Sequence, residues 1–337
     1  MNNKHNDLDE DHRPWKAQSA MFEIDKDAPF YVAGHRGMVG SAMWRLLEEE
    51  GHSNLIGMTR QDLDLTNRNA VFSFFQKHKP KYVVLAAARV GGIMANVNYP
   101  VQFLTENLQI QVNVMDAALA QDVERLVFLG SSCIYPKDAP QPIDEEFLLT
   151  GPLEPTNEPY AIAKIAGIKQ VQAVRKQYGK PWFSVMPPNL YGPNDNFSEG
   201  ESHVMAALIK RFTEAKQRSL SSITNWGTGR PLREFLHVDN LARKIYELMK
   251  TYDGDSPINI GGGEEMTIKE LSDIIQQTVG YEGTVLWDSN KPDGVRRKRL
   301  ATEKSRSLTT EIQLSPLRDY ILSVYETAKD GEFGTTT

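Results

Sequence analysis

The chain has 337 residues, of which 40% are hydrophobic and 24% are charged, and these values are typical of a globular protein. Its formal net charge of −6 argues against nucleic acid, a polyanion, as a partner. Cys133 is the single cysteine, which excludes an internal disulfide and a metal site built from cysteines. We therefore expect no bound metal, and this cysteine content fits the reducing cytoplasm.

Residues 1–28 are polar and rich in Asn, Asp and Lys. The segment lacks the apolar stretch of a signal peptide or a membrane anchor, so we predict a mobile N-terminal tail. No later segment approaches the roughly 18 consecutive apolar residues that a membrane-spanning helix needs. The sequence therefore predicts a soluble protein without a membrane partner.

From residue 30 onward, short apolar runs alternate with segments of helical periodicity. The predicted strands lie at 30–33, 55–58, 82–87, 126–130 and 182–186. The predicted helices between them lie at 38–49, 68–77, 101–120 and 160–178. Alternating strands and helices are typical of a parallel sheet that is covered on both faces. We therefore predict a doubly wound α/β domain of the Rossmann type.

After Pro188 this alternation ends, and residues 189–200 have the Asn, Gly, Pro and Asp content of a loop. Helices are predicted at 204–218, 240–250, 268–279 and 317–328, and strands at 234–238, 257–260 and 284–287. We assign 29–188, with about 232–258, to the sheet domain. We assign 189–231 and 259–330 to a smaller, mostly C-terminal α/β lobe over the carboxyl edge of the sheet, where ligands of such sheets bind.

The first strand leads into a turn with glycine at every third position, Gly34-His35-Arg36-Gly37-Met38-Val39-Gly40. Glycines allow a tight turn and let the backbone approach a pyrophosphate at the helix N-terminus, where free N–H groups favour anions. A glycine triplet also occurs in ordinary strand–helix turns, but this one has the required strand before it and helix after it. We therefore predict that these seven residues bind a dinucleotide cofactor.

The end of the second strand indicates which dinucleotide is bound. An NAD-selective site usually has an acidic residue there, whereas this chain has Arg60, with Arg36 in the glycine turn. Two guanidinium groups could bind an adenosine 2′-phosphate through charge-assisted hydrogen bonds. The alternative is a pair of solvated surface arginines. The sequence favours NADP(H).

Tyr160 and Lys164 lie four residues apart and therefore share one face of a predicted helix. Lysine favours the phenolate form of tyrosine, and the phenol can exchange a proton with a carbonyl oxygen as hydride moves. This spacing also occurs by chance on helix surfaces. Here, however, Ser131 follows the preceding strand at the sheet edge, where its hydroxyl could bind the same oxygen. The combination predicts an enzyme that reduces a carbonyl group.

Eight segments resemble the GDP-L-fucose synthase family of extended short-chain dehydrogenases, between about residues 31 and 294. They are GHRGMVGSA, AAARVGGIMAN, FLGSSCIYP, LEPTNEPYAIAKIAGIK, NLYGPNDNF, SHV, WGTGRPLREFLHVDN and NKPDG. The resemblance implies an NADP-dependent oxidoreductase and epimerase. Such an enzyme converts GDP-4-keto-6-deoxy-D-mannose to GDP-L-fucose by 3,5-epimerisation and 4-keto reduction.

The resemblance also implies roles for individual residues. Ser131, Tyr160 and Lys164 would form the reductive triad, and Cys133 and His203 would be the acid–base pair for epimerisation. The cofactor would also contact residues near the ends of two strands and on two helices, namely Leu129, Gly130, Ser131, Ser132, Lys164, Pro187, Pro188, Asn189, Leu190 and His203. The GDP-sugar would contact Arg211, Trp226, Arg233 and Asp293.

Chemistry gives a separate reason for the Cys133–His203 pair. Inverting a carbon beside a ketone removes a proton from one face and returns one to the other, which two flanking groups do better than one. A thiol and an imidazole have intrinsic pKa values near neutrality. Without the resemblance, a lone cysteine at a strand end is usually buried filler, and a lone histidine at a helix start is usually solvated.

The sequence departs from the family pattern at two positions. Pro188 replaces a Thr beside the nicotinamide, and Ala301 replaces an Asp, so we expect a changed contact there and a changed wall in the substrate lobe. The basic run at 296–299 is interpreted as a solvated face or as a neighbour of the diphosphate. A nuclear localisation signal is disfavoured because no second basic patch accompanies the run.

Other functions share these motifs. One is a related GDP-deoxysugar enzyme, such as one that makes GDP-colitose, and another is a scaffold protein that keeps only the fold. The presence of all five catalytic candidates argues against the scaffold. By analogy with other proteins of this fold, we expect a homodimer that pairs through 101–120 and 160–178.

Overall fold

The computed structural model of the protein describes residues 22–291, 293–311, 316–329 and 333. The predicted N-terminal tail lies outside these residues up to position 21. The Phe22 amide donates a hydrogen bond to the Lys250 carbonyl at 2.7 Å, and Ile24 and Ala28 are buried. The predicted tail boundary at residue 28 is therefore too late, because these apolar side chains pack against the main domain.

The elements of the described residues are numbered in chain order. The strands are β1 Phe30–Ala33, β2 Leu55–Ile56, β3 Tyr82–Leu85, β4 Arg125–Leu129, β5 Phe183–Met186, β6 Asn189–Tyr191, β7 Ser222–Trp226, β8 Leu232–His237, β9 Ile258–Asn259, β10 Glu264–Thr267, β11 Thr284–Asp288 and β12 Arg297–Lys298. The helices are α1 Met38–Glu49, α2 Arg68–His78, α3 Ile93–Asn98, α4 Pro100–Ala120, α5 Glu158–Tyr178, α6 Val204–Gln217, α7 Val238–Thr251, α8 Ile268–Val279, α9 Glu303–Arg306 and α10 Leu317–Lys329.

The main sheet has six parallel strands in the order β2-β1-β3-β4-β5-β9. Successive side chains of β1 point to opposite faces. Tyr31 and Ala33 pack with α2, α4 and α5, whereas Phe30 and Val32 pack with α1 and α7. Both faces are therefore covered, which explains the continuous apolar runs of the strands and confirms the predicted doubly wound fold.

A second sheet is built around β8, which pairs with β6, β10 and β12, and β7 pairs with β11 nearby. A separate apolar core joins α6, α8 and α10 through residues such as Phe212, Ile275 and Ile321. The predicted domain division placed β8 with the main sheet, whereas its partners all belong to the second sheet. The chain then returns to the main sheet through α7 and β9.

Several short elements were not predicted. The expected loop at 189–200 begins with β6, and β7, β10, β12, α3 and α9 were missed. These elements have two to six residues, which is too few for a periodic apolar pattern to stand out. Among the described residues, no helix combines the length and the apolar character needed to cross a membrane.

Candidate active site

A cavity of about 1160 Å³ lies at the carboxyl ends of β1, β3, β4 and β5 and extends to the second sheet. It is lined by every residue assigned to catalysis or to the GDP-sugar, namely Ser131, Cys133, Tyr160, Lys164, His203, Arg211, Trp226, Arg233 and Asp293. Of the residues assigned to the cofactor, His35 and Arg36 do not line it, and the others do. One cavity therefore brings together segments that are far apart in sequence.

Two glycines of the turn, Gly34 and Gly40, leave no room for a side chain. Gly34 has a φ of +84°, and a Cβ there would lie 2.9 Å from the Ala87 backbone nitrogen. A Cβ at Gly40 would lie 2.6 Å from the Gly34 carbonyl carbon and closer still to its oxygen. Gly37 precedes α1 without a side-chain hydrogen bond at the helix N-terminus, so free N–H groups are available for an anion. The turn therefore fits the pyrophosphate of a dinucleotide.

The two arginines of the predicted 2′-phosphate site differ in position. Arg60 lines the cavity with its side chain 75% exposed, and its guanidinium lies 4.0 Å from the Glu106 carboxylate. Arg36 is exposed outside the cavity wall. His35 packs under the end of β2, where a Cβ on Gly57 would lie 2.5 Å from the imidazole ring. His35 therefore supports the second strand, and of the two predicted arginines Arg60 is the one that faces the cavity.

The end of β4 presents two of the catalytic candidates. Ser131 is extended, and the short 3₁₀ turn after it brings the Cys133 N–H within 3.4 Å of the Ser131 hydroxyl oxygen. The same hydroxyl lies near enough to the Tyr160 phenol to lower the pKa of that phenol. On α5, the Lys164 ammonium donates a hydrogen bond to the Leu129 carbonyl at 2.7 Å and lies 5.8 Å from the centre of the Tyr160 ring. The predicted Ser–Tyr–Lys arrangement is thus assembled around one point of the cavity.

Burial sets the protonation of these groups. It lowers the pKa of Lys164 to about 8. It also raises the pKa of Tyr160, with the neighbouring Cys133 adding to the rise and the nearby Ser131 hydroxyl opposing it. The sequence analysis assigned Lys164 to lowering the phenol pKa, but in the free protein desolvation of the phenolate is the larger effect. Tyr160 is therefore a protonated phenol at neutral pH, as a proton donor must be.

Cys133 and His203 reach the cavity from different elements. Cys133 is buried at the end of β4, and burial raises the pKa of its thiol against the opposing effect of the Lys298 ammonium. His203 precedes α6 in an extended conformation, and its side chain does not cap the helix. Burial lowers the pKa of the His203 imidazole. At neutral pH the free protein therefore holds a neutral thiol and a neutral imidazole in one cavity.

Lys298 was not singled out from the sequence, although its basic run was interpreted as a solvated face or as a neighbour of the diphosphate. Lys298 lines the cavity from β12, and burial lowers its pKa while the proximity of Cys133 raises it. Its neighbours in the basic run point the other way, because Arg297 forms two hydrogen bonds of 2.7 Å with Glu265 and Arg299 lies 3.5 Å from the same carboxylate. The run is thus a solvated face at 297 and 299, while residue 298 points into the cavity.

A buried carboxylate fixes the strand that carries Lys298. Glu234 accepts hydrogen bonds from the Gly262 amide at 2.7 Å and from the Leu300 amide at 3.1 Å. The β12–β8 pairing also places Lys298 opposite Arg233. Two cations therefore stand side by side at this wall, although their positions in the sequence are 65 residues apart. Only the pairing of β12 with β8 reveals this, and no sequence pattern indicated it.

The residues assigned to the GDP-sugar occupy the end of the cavity away from the glycine turn. The Arg211 guanidinium donates a hydrogen bond to the Asn225 side chain at 2.8 Å. Burial lowers the pKa of Arg233 to about 10, and Asp293 opposes this shift. The Asp293 carboxylate accepts two hydrogen bonds of 2.7 Å from the backbone and hydroxyl of Thr228. Asp293 therefore anchors the loop after β7 as well as lining the cavity.

The two residues that depart from the family pattern, Pro188 and Ala301, differ in their position relative to the cavity. Pro188 is buried and lines the cavity beside Pro187, and the changed contact with the nicotinamide stays a prediction. Ala301 is also buried, but it lies outside the cavity wall, and its amide donates to the Ile143 carbonyl at 2.9 Å. The expectation that residue 301 alters the substrate wall is therefore wrong, because this part of the wall is formed by Lys298.

Comparison with known proteins agrees with this geometry. Residues 30–261 match the model of the NAD dependent epimerase/dehydratase family. GDP-L-fucose synthase 1 of Arabidopsis thaliana is 54% identical over 302 residues, which cover 90% of this chain and 93% of that protein. The chain belongs to the GDP-L-fucose synthase family. GDP-L-fucose synthase of Escherichia coli (strain K12) is 49% identical over 287 residues, covering 82% of this chain and 89% of that protein.

The fold is also that of a solved structure. The crystal structure of a GDP-L-fucose synthetase from Naegleria fowleri bound to NADP superimposes with a TM-score of 0.85 at 26% identity. The match covers 96% of this chain and 100% of that one. The doubly wound sheet and the attached lobe are therefore shared over nearly the whole described chain.

Proposed function

We propose that this protein is an NADPH-dependent enzyme that epimerises GDP-4-keto-6-deoxy-D-mannose at carbons 3 and 5 and reduces the ketone at carbon 4, giving GDP-L-fucose. The observation that carries this proposal is that one cavity contains two sets of proton-transfer groups. Ser131, Tyr160 and Lys164 form one set, and Cys133 and His203 form the other. A plain ketoreductase needs only the first set.

The second set supports epimerisation. The 4-keto group acidifies the protons on carbons 3 and 5, so a base can remove them. Cys133 and His203 enter the cavity from the end of β4 and the start of α6, and can therefore flank a sugar ring. As neutral groups they supply one thiol proton to donate and one imidazole nitrogen to accept a proton. Proton loss leaves an enolate, whose oxygen Ser131 and Tyr160 can stabilise by hydrogen bonding.

The first set supports reduction. Bound NADPH supplies the hydride that reduces the carbonyl carbon and is itself oxidised to NADP⁺. The Tyr160 phenol gives its proton to the oxygen. The C=O double bond becomes a C–O single bond, and new C–H and O–H bonds form. The Lys164 ammonium, 2.7 Å from the Leu129 carbonyl, is held beside the phenol and can bind the nicotinamide ribose. The Ser131 hydroxyl lies near the phenol, where it can donate a hydrogen bond to the same carbonyl oxygen.

The cavity also supports binding of NADPH and of a GDP-sugar. The glycine turn fits a pyrophosphate, and Arg60 is available to an adenosine 2′-phosphate, with Arg36 nearby in the turn. At the other end, Arg211, Arg233 and Lys298 supply three cations for the diphosphate of the sugar nucleotide. These assignments use the four arginines that were proposed from the sequence and add Lys298.

The direct test is to incubate the protein with GDP-4-keto-6-deoxy-D-mannose and NADPH and to identify the sugar by mass and by NMR. We expect GDP-L-fucose, with one NADPH consumed per product. If a GDP-6-deoxy-D-hexose were the sole product, the proposed reductase activity would be supported and the proposed epimerase activity would be contradicted. Rapid turnover of a 3-deoxy substrate with none of the 3-hydroxy sugar would instead favour an enzyme of the GDP-colitose type.

We also propose a homodimer formed by α4 and α5. These helices pack side by side on one face of the sheet, and each leaves apolar side chains exposed, such as Val101 and Val112 on α4 and Ile162 on α5. Light scattering of the wild type should give twice the chain mass. Ile162→Asp should give monomers, and a wild type that is monomeric at micromolar concentration would contradict the proposal.

A further inference from the structure

One stripe of α6 follows the cavity outward from the candidate reaction centre. His203, Ala207, Arg211, Glu214 and Arg218 all line the cavity. Their spacing of four, four, three and four residues keeps them on one face of the helix. At 1.5 Å per residue, Arg211 lies about 12 Å and Glu214 about 16 Å along the helix from His203. The position of a residue on this stripe therefore gives its approximate distance from the candidate reaction centre.

A GDP-sugar bound along this stripe places its parts in a fixed order. The sugar ring lies beside His203, and the diphosphate lies beside Arg211. The base, which is the part farthest from the sugar, then reaches the next turn of the helix. A carboxylate there would repel a diphosphate, so Glu214 is suited to a neighbouring group that donates hydrogen bonds.

The surroundings of Glu214 fit a purine base. Arg211 bonds to Asn225 at 2.8 Å, which brings β7 against this part of α6. The next residue of β7 is Trp226, which is 48% exposed and lines the same cavity, so its ring offers a flat surface for stacking. The Lys291 ammonium lies 5.5 Å from the centre of that ring.

The Glu214 carboxylate is available for a ligand. Its side chain is 45% exposed and lies 3.9 Å from the Lys210 ammonium, a long ion pair of the kind that contributes little to stability. Within the described part of the chain it accepts no hydrogen bond. Replacing it should therefore leave the fold intact.

We propose that Glu214 selects guanine by accepting hydrogen bonds from its ring N1–H and its exocyclic amino group. An ionised carboxylate has two oxygens and only accepts, so it matches two adjacent donors. Guanine presents such a pair. Hypoxanthine keeps the ring N–H but lacks the amino group, and uracil places its single N–H between two carbonyl oxygens that repel a carboxylate. The assignment rests on the proposed function, since it takes the substrate to be a nucleoside diphosphate sugar.

The test compares GDP, IDP and UDP, which carry guanine, hypoxanthine and uracil. Calorimetry on the NADP⁺-loaded protein gives the Kd of each, and no turnover is required. We expect the wild type to bind GDP about 10-fold tighter than IDP, and UDP weakest, because one charge-assisted hydrogen bond separates the first two. In Glu214→Gln, GDP binding should weaken by about 10- to 100-fold, and the GDP-to-IDP ratio should fall towards one.

Glu282→Gln is the matched control, because Glu282 is an exposed carboxylate outside the cavity and should leave every Kd unchanged. An unaltered GDP-to-IDP ratio in Glu214→Gln would overturn the Glu214 assignment. If that variant still makes GDP-L-fucose, the proposed function stands without it. A wild type that binds GDP, IDP and UDP equally, and forms no product from the GDP-sugar, would overturn both.

Discussion

A methyl group added at Gly40 tests how tightly the glycine turn is built. In a helix, Gly→Ala normally stabilises by about 1 kcal/mol, because glycine loses more backbone entropy on folding. Here the added Cβ would lie 2.6 Å from the Gly34 carbonyl carbon and 2.9 Å from the His35 Cα. These are backbone atoms that cannot rotate away, so the turn and the start of α1 must separate by about 1 Å.

The displacement of the turn from α1 decides whether Gly40→Ala stabilises or destabilises the protein. Overpacking of this kind costs about 1–3 kcal/mol, and the upper end applies because both sides of the contact are backbone. After subtracting the gain of about 1 kcal/mol in helix propensity, Gly40→Ala should lose about 2 kcal/mol of stability. The displaced turn should lose hydrogen bonds to the pyrophosphate, which contribute about 1.5–3 kcal/mol each when one partner is charged, so the Kd of NADPH should rise by about 10- to 100-fold.

Denaturant unfolding and fluorescence titration with NADPH measure the two effects. Gly51→Ala is the control, because Gly51 has a φ of +84° and no atom within 4 Å of an added Cβ. Left-handed strain should cost that variant about 1–2 kcal/mol while leaving NADPH binding unchanged. Gly40→Ala that binds NADPH within about threefold of the wild type would refute the role of the turn as a pyrophosphate cradle.

Other substitutions separate the roles of the cavity residues. Tyr160→Phe keeps the ring and removes the proton donor, so NADPH oxidation should fall about 100-fold; a near wild-type rate would contradict this role. Arg60→Glu should weaken the binding of NADPH far more than the binding of NADH in direct titrations. An equal loss of affinity for both cofactors would contradict the assignment of Arg60 to the 2′-phosphate. Lys164→Met should stabilise the protein at pH 7, because it removes a buried ammonium. Burial lowers the Lys164 pKa from 10.5 to about 8, so the free energy of unfolding of the wild type should rise between pH 8 and pH 10.5. The difference in stability between Lys164→Met and the wild type should therefore shrink over this range, and a difference that does not change with pH would contradict this.

The main sheet was predictable because each of its central strands is buried on both faces. Such strands appear as short apolar runs, and the helices between them carry long periodic patterns, so the predicted bounds of β1 and α1 match the structure. The reductive candidates could be proposed from local patterns, because Ser131 follows one strand and Tyr160 and Lys164 lie one helical turn apart. Cys133 and His203 were assigned by resemblance to the family, because a lone cysteine and a lone histidine form no local pattern.

The parts that escaped prediction depend on contacts between distant residues. Lys298 belongs to a basic run, and only the pairing of β12 with β8 decides that it faces the cavity while Arg297 faces Glu265. Asp293 bonds to Thr228, 65 residues away. The raised pKa of Tyr160 is a result of burial, which no local spacing reveals.

Epimerisation and reduction in one cavity are the two halves of the proposed activity, and epimerisation is the half that distinguishes this protein from a plain ketoreductase. Incubation of the protein with GDP-4-keto-6-deoxy-D-mannose in deuterium oxide, without NADPH, tests it by NMR of the sugar. The wild type and Tyr160→Phe should incorporate deuterium at carbons 3 and 5. His203→Gln should nearly stop the exchange, because it removes the imidazole nitrogen that accepts the proton. Cys133→Ser should slow the exchange and block inversion, because a serine hydroxyl is a much weaker acid than the thiol that donates the proton. Normal incorporation at both carbons in Cys133→Ser and in His203→Gln would show that neither residue transfers the proton, and would contradict the account.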